Sequence, residues 1–196
     1  MTRLKFCALS ELAACDVLFL CLPHGRTMGS IDDFQALAPR LIDLSADFRL
    51  NSAQSYQRWY GSEHARPELL GTFVYGVPEL HRDAIRTADR VACAGCNATA
   101  STLAVRPLTR RELVESVVIE VKAGSSEGGN AASDASHHPE RSGVVRSYRP
   151  TGHRHVGEMH QSLGDLPIHF SAPSIEMVRG ILATCHIFLT EPLDEK

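Results

Sequence analysis

The sequence predicts an α/β fold on two observations: short, unbroken apolar runs that end in polar or glycine-bearing turns, and a segment of helical period lying between two of them. Asp16-Val-Leu-Phe-Leu-Cys-Leu22 has the form of a strand buried on both faces, closed by Pro23-His24-Gly25. Leu41-Ile-Asp-Leu44, followed by Ser45-Ala-Asp47, repeats it. Between them Ile31, Phe34, Leu37 and Ala38 recur at helical spacing over residues 30–39, with Ser30 as N-cap. Strand, helix, strand is the pattern of a parallel crossover unit.

Residues 51–78 mix Tyr56, Trp59, Tyr60, Phe73 and Tyr75 with Gly and Pro, which predicts a long, irregular but ordered excursion. Arg90-Val-Ala-Cys-Ala94 is the next strand. Gly95 turns it into a helix of small residues over 96–105, closed down by Pro107. Val117-Val-Ile-Glu-Val121 is a strand that runs into Gly124-Ser-Ser-Glu-Gly-Gly129. Residues 130–155 are polar and basic without an apolar period, so a long loop is expected there. Residues 168–172 and 181–189 read as strands, the second opened by Arg179-Gly180.

Composition excludes several classes. Twenty Lys plus Arg against 23 Asp plus Glu give a net charge of −3, not the cationic surface that coats nucleic acid or anionic membranes. The longest unbroken apolar run, Val17 to Leu22, falls far short of the ~20 residues of a membrane helix. Neither nucleic acid nor membrane is an expected partner, and with no export-type hydrophobic segment at the start a cytoplasmic location is expected. The six cysteines are accordingly read as reduced thiols. No Gly-x-Gly-x-x-Gly and no Walker-type loop occurs, so glycine motifs assign no nucleotide site.

The chemistry concentrates in two places. Strand, Gly95, then Cys96 sets the sulfur at a helix N-terminus, where free N–H groups and the helix dipole favour an anion. The alternative is one more buried thiol. Cys93 forms Cys-x-x-Cys with Cys96, which alone fits a redox pair or half a zinc site, yet Cys93 falls inside the strand. The second place is Thr151-Gly-His-Arg-His155, whose imidazoles suit proton transfer near neutral pH. A solvated loop is one alternative. A zinc site from His153 and His155 with Cys93 and Cys96 is the other, but no second Cys pair of suitable spacing exists and no metal is assigned. Arg141, Arg146, Arg149 and Arg154 against Asp134 and Glu140 make this stretch locally positive, suited to phosphate or carboxylate, or simply a solvated face.

Taken together, Phe73-Val-Tyr-Gly-Val-Pro-Glu79, Ala94-Gly-Cys-Asn-Ala-Thr99 and Gly152-His-Arg-His155 resemble the N-acetyl-γ-glutamyl-phosphate reductase family. So do Leu22-Pro-His-Gly25, Asp43-Leu-Ser-Ala-Asp-Phe-Arg49 and Arg179-Gly-Ile-Leu-Ala183, and the likeness runs over practically the whole chain. Gly124-Ser-Ser-Glu-Gly-Gly129 and Ser136-His-His-Pro-Glu-Arg141 look like the branch that reduces an aminoadipyl phosphate held on a LysW-type amino-group carrier protein in lysine synthesis. The arginine-pathway branch is the alternative. A basic loop suits an acidic, protein-borne substrate.

The resemblance implies an incomplete Rossmann-type dinucleotide-binding domain at residues 1–95, starting downstream of the strand and glycine-rich turn that hold the pyrophosphate in family members. It implies an α+β catalytic and dimerisation domain at residues 96–196, also cut short, so that the chain reads as an internal fragment. The implied cofactor is NADPH and the implied substrate an acyl phosphate, reduced to an aldehyde through a thioester on Cys96, with His155 or His153 as the acid/base. Pro23, His24 and Gly25 are expected on the cofactor, Ser125 and Ser126 in the cofactor or acyl-phosphate pocket, and Asn97, Arg141, Arg149 and Arg154 toward the substrate or its carrier. A homo-oligomer is expected of the full-length protein. Two other readings stand beside this one: a non-catalytic fragment retaining only a binding or dimerisation surface, and a Cys/His hydrolase that works without nicotinamide.

Overall fold

The computed structural model describes residues 5–129 and 138–193. In chain order it holds β1 (Val17–Leu20), α1 (Ile31–Leu37), β2 (Arg40–Asp43), α2 (Ala53–Tyr60), β3 (Val74–Gly76), α3 (Pro78–Thr87), β4 (Arg90–Cys93), α4 (Cys96–Thr109), β5 (Val114–Ala123), α5 (His138–Arg141), β6 (Arg146–Arg149), α6 (His155–Leu163), β7 (Ile168–Ser174) and β8 (Ile181–Leu189). The chain divides into two compact units, Met1–Ala53 with His64–Cys93, and Gln54–Glu63 with Ala94–Lys196. The fold is α/β, as the alternation of apolar runs and helical segments predicts.

In the first unit four strands pair in parallel in the order β1-β2-β4-β3. The β1–α1–β2 segment is the expected crossover. Ile31 and Phe34 on α1 pack with Leu20 and Leu41 from the strands, and Phe48 stacks on Phe73 with ring centroids 4.2 Å apart. Ser30 occupies the N-cap position of α1 but makes no capping side-chain bond; Asp32 and Asp33 in the first turn complement the helix dipole instead. A Cβ on Gly76 would lie 2.9 Å from the Ala92 carbonyl oxygen, so β3 reaches its place beside β4 only as glycine.

The second unit is a mixed sheet in the order β6-β7-β5-β8. β5 runs parallel to β7 and antiparallel to β8, and β6 pairs antiparallel with β7. Val117, Ile119, Val121 and Ala123 alternate along β5 and are buried with Ala98 and Val105 of α4 and Val156 and Met159 of α6. α2 is seated on α6 at Gly157, where an added Cβ would fall 2.5 Å from Cδ1 of Trp59. Among the described residues no helix is long and apolar enough to cross a membrane.

The structure corrects several local expectations. The excursion at 51–78 is not irregular: it contains α2 and β3. α2 offers only aromatic residues as its apolar face, and three-residue β3 takes its form from pairing with β4. α3 buries no residue fully; Leu80 and Ile85 are half-buried. α4 continues through Pro107 to Thr109, so the proline stands inside its last turn and does not end it. The expected loop at 130–155 falls partly on residues 130–137, outside the described residues, while the rest contains α5 and β6 and ends where α6 begins at His155.

Candidate active site

Gly95 sits in extended conformation (φ −68°, ψ 146°) and Cys96 is the first residue of α4. The first turn is locked because the N–H and the hydroxyl of Thr99 both donate to the Gly95 carbonyl, at 2.8 and 3.0 Å. Cys96 is exposed, with its thiol 3.7 Å from Asn97 Oδ1. Cys96 thus heads a 14-residue helix, the position at which free helix N–H groups favour a thiolate. The half-buried thiols differ, since burial pushes both Cys93 and Cys185 up. All six cysteines are free, and among the described residues no three His, Cys, Asp or Glu side chains form a group that could hold a metal ion.

Behind this helix terminus lies one face of α6. The Gly95 N–H donates to Glu158 Oε2 at 2.8 Å, and Glu158 Oε1 is 3.9 Å from His155 Nε2. His155 and Glu158 are three residues apart on the helix and share a face. Both are buried, Glu158 completely. A Cβ on Gly95 would stand 2.5 Å from His155 Nε2 and 2.7 Å from Glu158 Oε1. Only glycine lets an imidazole and a carboxylate press against the backbone one residue ahead of Cys96.

His153 has a different environment. Its Nδ1 accepts the backbone N–H of His155 at 3.2 Å, which places the proton of the neutral ring on Nε2, facing the Tyr148 hydroxyl at 3.4 Å. Burial, assisted by the charges of Arg154 and Arg149, lowers the His153 pKa to about 4. The Tyr148 hydroxyl also bonds Asn97 and Glu127. Burial first, then the Glu127 charge, push the phenol up, so it stays protonated. Glu127 is itself raised by burial, against the opposing pull of Arg141 and Tyr148.

The other residues singled out in the sequence divide. Ser125 and Ser126 begin the turn after β5, and their N–H groups donate to the carbonyls of Met177 and Val178 at 2.8 and 2.9 Å. Arg149 and Arg154 are exposed; Arg154 also lies 6.0 Å from the ring centre of Tyr60. Arg141, expected on an open basic loop, is buried, and its Nη2 donates to the carbonyls of Ala123 and Ile175, each at 3.0 Å. In the first unit Pro23 and His24 are exposed in the turn after β1, and Gly25 adopts φ +85°, which glycine alone takes without strain. Glu158 stands directly after the His pair in the sequence, as Val156-Gly-Glu158, without a role of its own, and Tyr148 and Glu127 are not singled out there. A helical reading of 155–163 would have put Glu158 on the face of His155, but Tyr148 and Glu127 carry no local signal.

Residues 2–88 match the family described as semialdehyde dehydrogenase, NAD binding domain, and residues 96–196 the semialdehyde dehydrogenase dimerisation domain. Among relatives, the chain is 45% identical over 198 residues to the LysW-L-2-aminoadipate 6-phosphate reductase of Deinococcus radiodurans, covering 100% of the chain and 57% of that protein. It is 51% identical over 193 residues to a Haloquadratum walsbyi protein provisionally named LysW-L-2-aminoadipate/LysW-L-glutamate phosphate reductase, covering 97% and 55%. The first name is that of the branch that residues 124–129 and 136–141 resemble, and the second joins LysW-L-glutamate to it. The chain spans about half the length of the curated relatives it matches. Aspartate semialdehyde dehydrogenase II from Vibrio cholerae superposes with a TM-score of 0.65 at 13% identity, over 91% of this chain and 57% of that one, a likeness of fold.

A nicotinamide dinucleotide fits what the first unit presents. Open parallel sheets bind ligands beyond the carboxyl ends of their strands, and there the exposed turn after β1, with its left-handed Gly25, stands on four parallel strands. With a parallel dinucleotide-binding sheet, a cysteine heading a helix and both matched segments in sequence order, the chain belongs to the semialdehyde dehydrogenase family.

Proposed function

We propose that this protein carries out the reductive dephosphorylation of an acyl phosphate to an aldehyde, with Cys96 as nucleophile, NADPH as reductant and an aminoadipyl phosphate borne on a LysW-type carrier protein as substrate. One observation carries the reading: exposed Cys96 at the N-terminus of α4, with His155 Nε2 packed against the residue before it. Both relatives' names support the carrier-borne substrate, and the Deinococcus name supports the aminoadipate branch.

The Cys96 thiolate attacks the acyl carbon, the carbon–oxygen bond to phosphorus breaks, and inorganic phosphate leaves behind a thioester. A bound nicotinamide dinucleotide supplies the two electrons and the hydrogen that reduce it. His155 gives a proton to the carbonyl-derived oxygen as charge develops there. It takes the proton back when the carbon–sulfur bond breaks and the aldehyde departs. His153 suits this task poorly, because a ring with a pKa of about 4 is neutral at pH 7 and its Nδ1 is held by the backbone of His155. Glu158 is a positioning residue that fixes His155 and Gly95 together.

Asn97 serves the substrate at the sulfur, and Ser125 and Ser126 the cofactor or acyl-phosphate pocket. Arg149 and Arg154 offer exposed cations to the phosphate or to an acidic carrier, while Arg141 braces the strand ends beneath. Pro23, His24 and Gly25 meet the cofactor. The test is turnover with carrier-borne aminoadipyl phosphate, following NADPH oxidation and phosphate release in parallel, for wild type and Cys96→Ser. Stoichiometric release and oxidation, both lost in Cys96→Ser, are expected. Near-normal turnover of Cys96→Ser overturns the nucleophile, and phosphate release without NADPH oxidation points to a hydrolase.

A further inference from the structure

We infer that Asp47 is a positioning residue for the nicotinamide cofactor: its buried carboxylate holds the turn at residues 23–25 in its binding shape before the cofactor arrives. The inference rests on the cofactor assignment above. Asp47 is wholly buried, and both of its carboxylate oxygens are committed to one short stretch of chain. Oδ1 accepts the Gly25 N–H at 2.6 Å and pairs with His24 Nδ1 at 2.8 Å, while Oδ2 accepts the Met28 N–H at 3.0 Å. Burial alone would raise this carboxyl, yet the bonds from His24, Gly25 and Met28 outweigh it and hold the group below the usual range.

The carboxylate is itself held firmly. The Asp47 N–H donates to Ser45 Oγ at 3.2 Å, and that hydroxyl donates to Asp43 Oδ2 at 2.8 Å. Asp43 Oδ1 accepts the Ser45 N–H at 2.9 Å and the Thr27 hydroxyl at 3.3 Å, so the segment after β2 grips the segment after β1 at two points. On the other side His64 Nε2 lies 2.9 Å from the Asp47 carbonyl.

Pro23 and His24 at the tip of the turn are exposed, while the two amides that Asp47 holds, those of Gly25 and Met28, are half-buried. A buried carboxylate is tolerated where its oxygens are hydrogen-bonded, and here those bonds also fix the shape of the turn. A dinucleotide that docks on a preformed turn avoids the cost of ordering it, which is the general advantage of preorganisation. The turn lies beyond the carboxyl end of β1, where parallel sheets receive dinucleotides.

The test combines amide hydrogen exchange by NMR with fluorescence titration of NADPH, on the wild-type chain and on Asp47→Asn. In the wild type the Gly25 and Met28 amides are expected to be protected before any NADPH is added. In Asp47→Asn that protection is lost at these amides, NADPH binding weakens at least tenfold, and Cys96 labels with iodoacetamide at the wild-type rate. An Asp47→Asn chain that folds and binds NADPH like wild type overturns the inference alone. Wild-type chain that fails to bind NADPH overturns the cofactor assignment and the inference with it. Should Asp47→Asn not fold, the wild-type exchange decides: Gly25 and Met28 amides exchanging as fast as open loop overturn the inference, and protection without cofactor supports it.

Discussion

The fully buried Glu158 carboxylate accepts the backbone N–H of Gly95 at 2.8 Å and thereby joins α6 to the residue that precedes Cys96. Removing the acceptor leaves a buried donor unsatisfied and a cavity behind it. Glu158→Ala is therefore expected to cost about 2–4 kcal/mol of stability. Urea unfolding measures this, and a loss below about 0.5 kcal/mol, the range of an ordinary surface change, would contradict the contact.

Gly95→Ala probes the same junction from the other side. The new methyl would meet His155 Nε2 and Glu158 Oε1, and Glu158 has no exposed space into which to withdraw. Overpacking of this kind costs about 1–3 kcal/mol. The variant should also lose preferential alkylation of Cys96 while Cys7, Cys15 and Cys21, exposed elsewhere, react as before. Unchanged Cys96 labelling would show that the junction does not shape the sulfur's surroundings.

Acid stability should report His153. Its folded pKa of about 4 lies below the ordinary histidine value of 6.5, so between those values the unfolded chain takes up a proton that the folded chain refuses. The stability associated with the neutral ring is fully present above pH 6.5 and is lost as pH falls toward 4, by at most ~3 kcal/mol. His153→Gln, which cannot titrate, should flatten this part of the profile. A wild-type unfolding free energy that is level from pH 7 to pH 4.5 would show the ring to be protonated in place.

The two histidines should separate kinetically. His155→Gln removes the ring packed against Gly95 and is expected to lower kcat about 10²–10⁴-fold in the assay with carrier-borne acyl phosphate. His153→Gln, whose ring is neutral and bonded to backbone, should lose much less. The reverse order would reassign the proton transfer to His153.

How far the sequence speaks depends on whether a feature is local. The β1–α1–β2 crossover was legible because Ile31 and Phe34 repeat at helical spacing between two apolar runs, and the Cys96 helix because Gly95 punctuates it. α3 was hidden because its apolar residues, Leu80, Ala84 and Ile85, are few among polar and charged ones, and α2 because its apolar face is aromatic and short. Cys96 and the His153–His155 pair announce themselves by residue type. Glu158, Tyr148 and Asp47 do not, since each derives its role from partners 63, 51 and 22 residues away, Gly95, Asn97 and Gly25, and such pairings are set by tertiary packing.

The central claim is that Cys96 at the head of α4 is a nucleophile. Iodoacetamide labelling from pH 5 to 9, with the modified cysteine located by mass spectrometry, tests it most directly. Cys96 should label first and keep its lead at the acidic end of the range, with Cys93 and Cys185 slowest because burial raises their thiols. If Cys96 instead labels no faster than Cys7, Cys15 and Cys21 at every pH, the helix terminus does not activate its sulfur and the proposed mechanism falls.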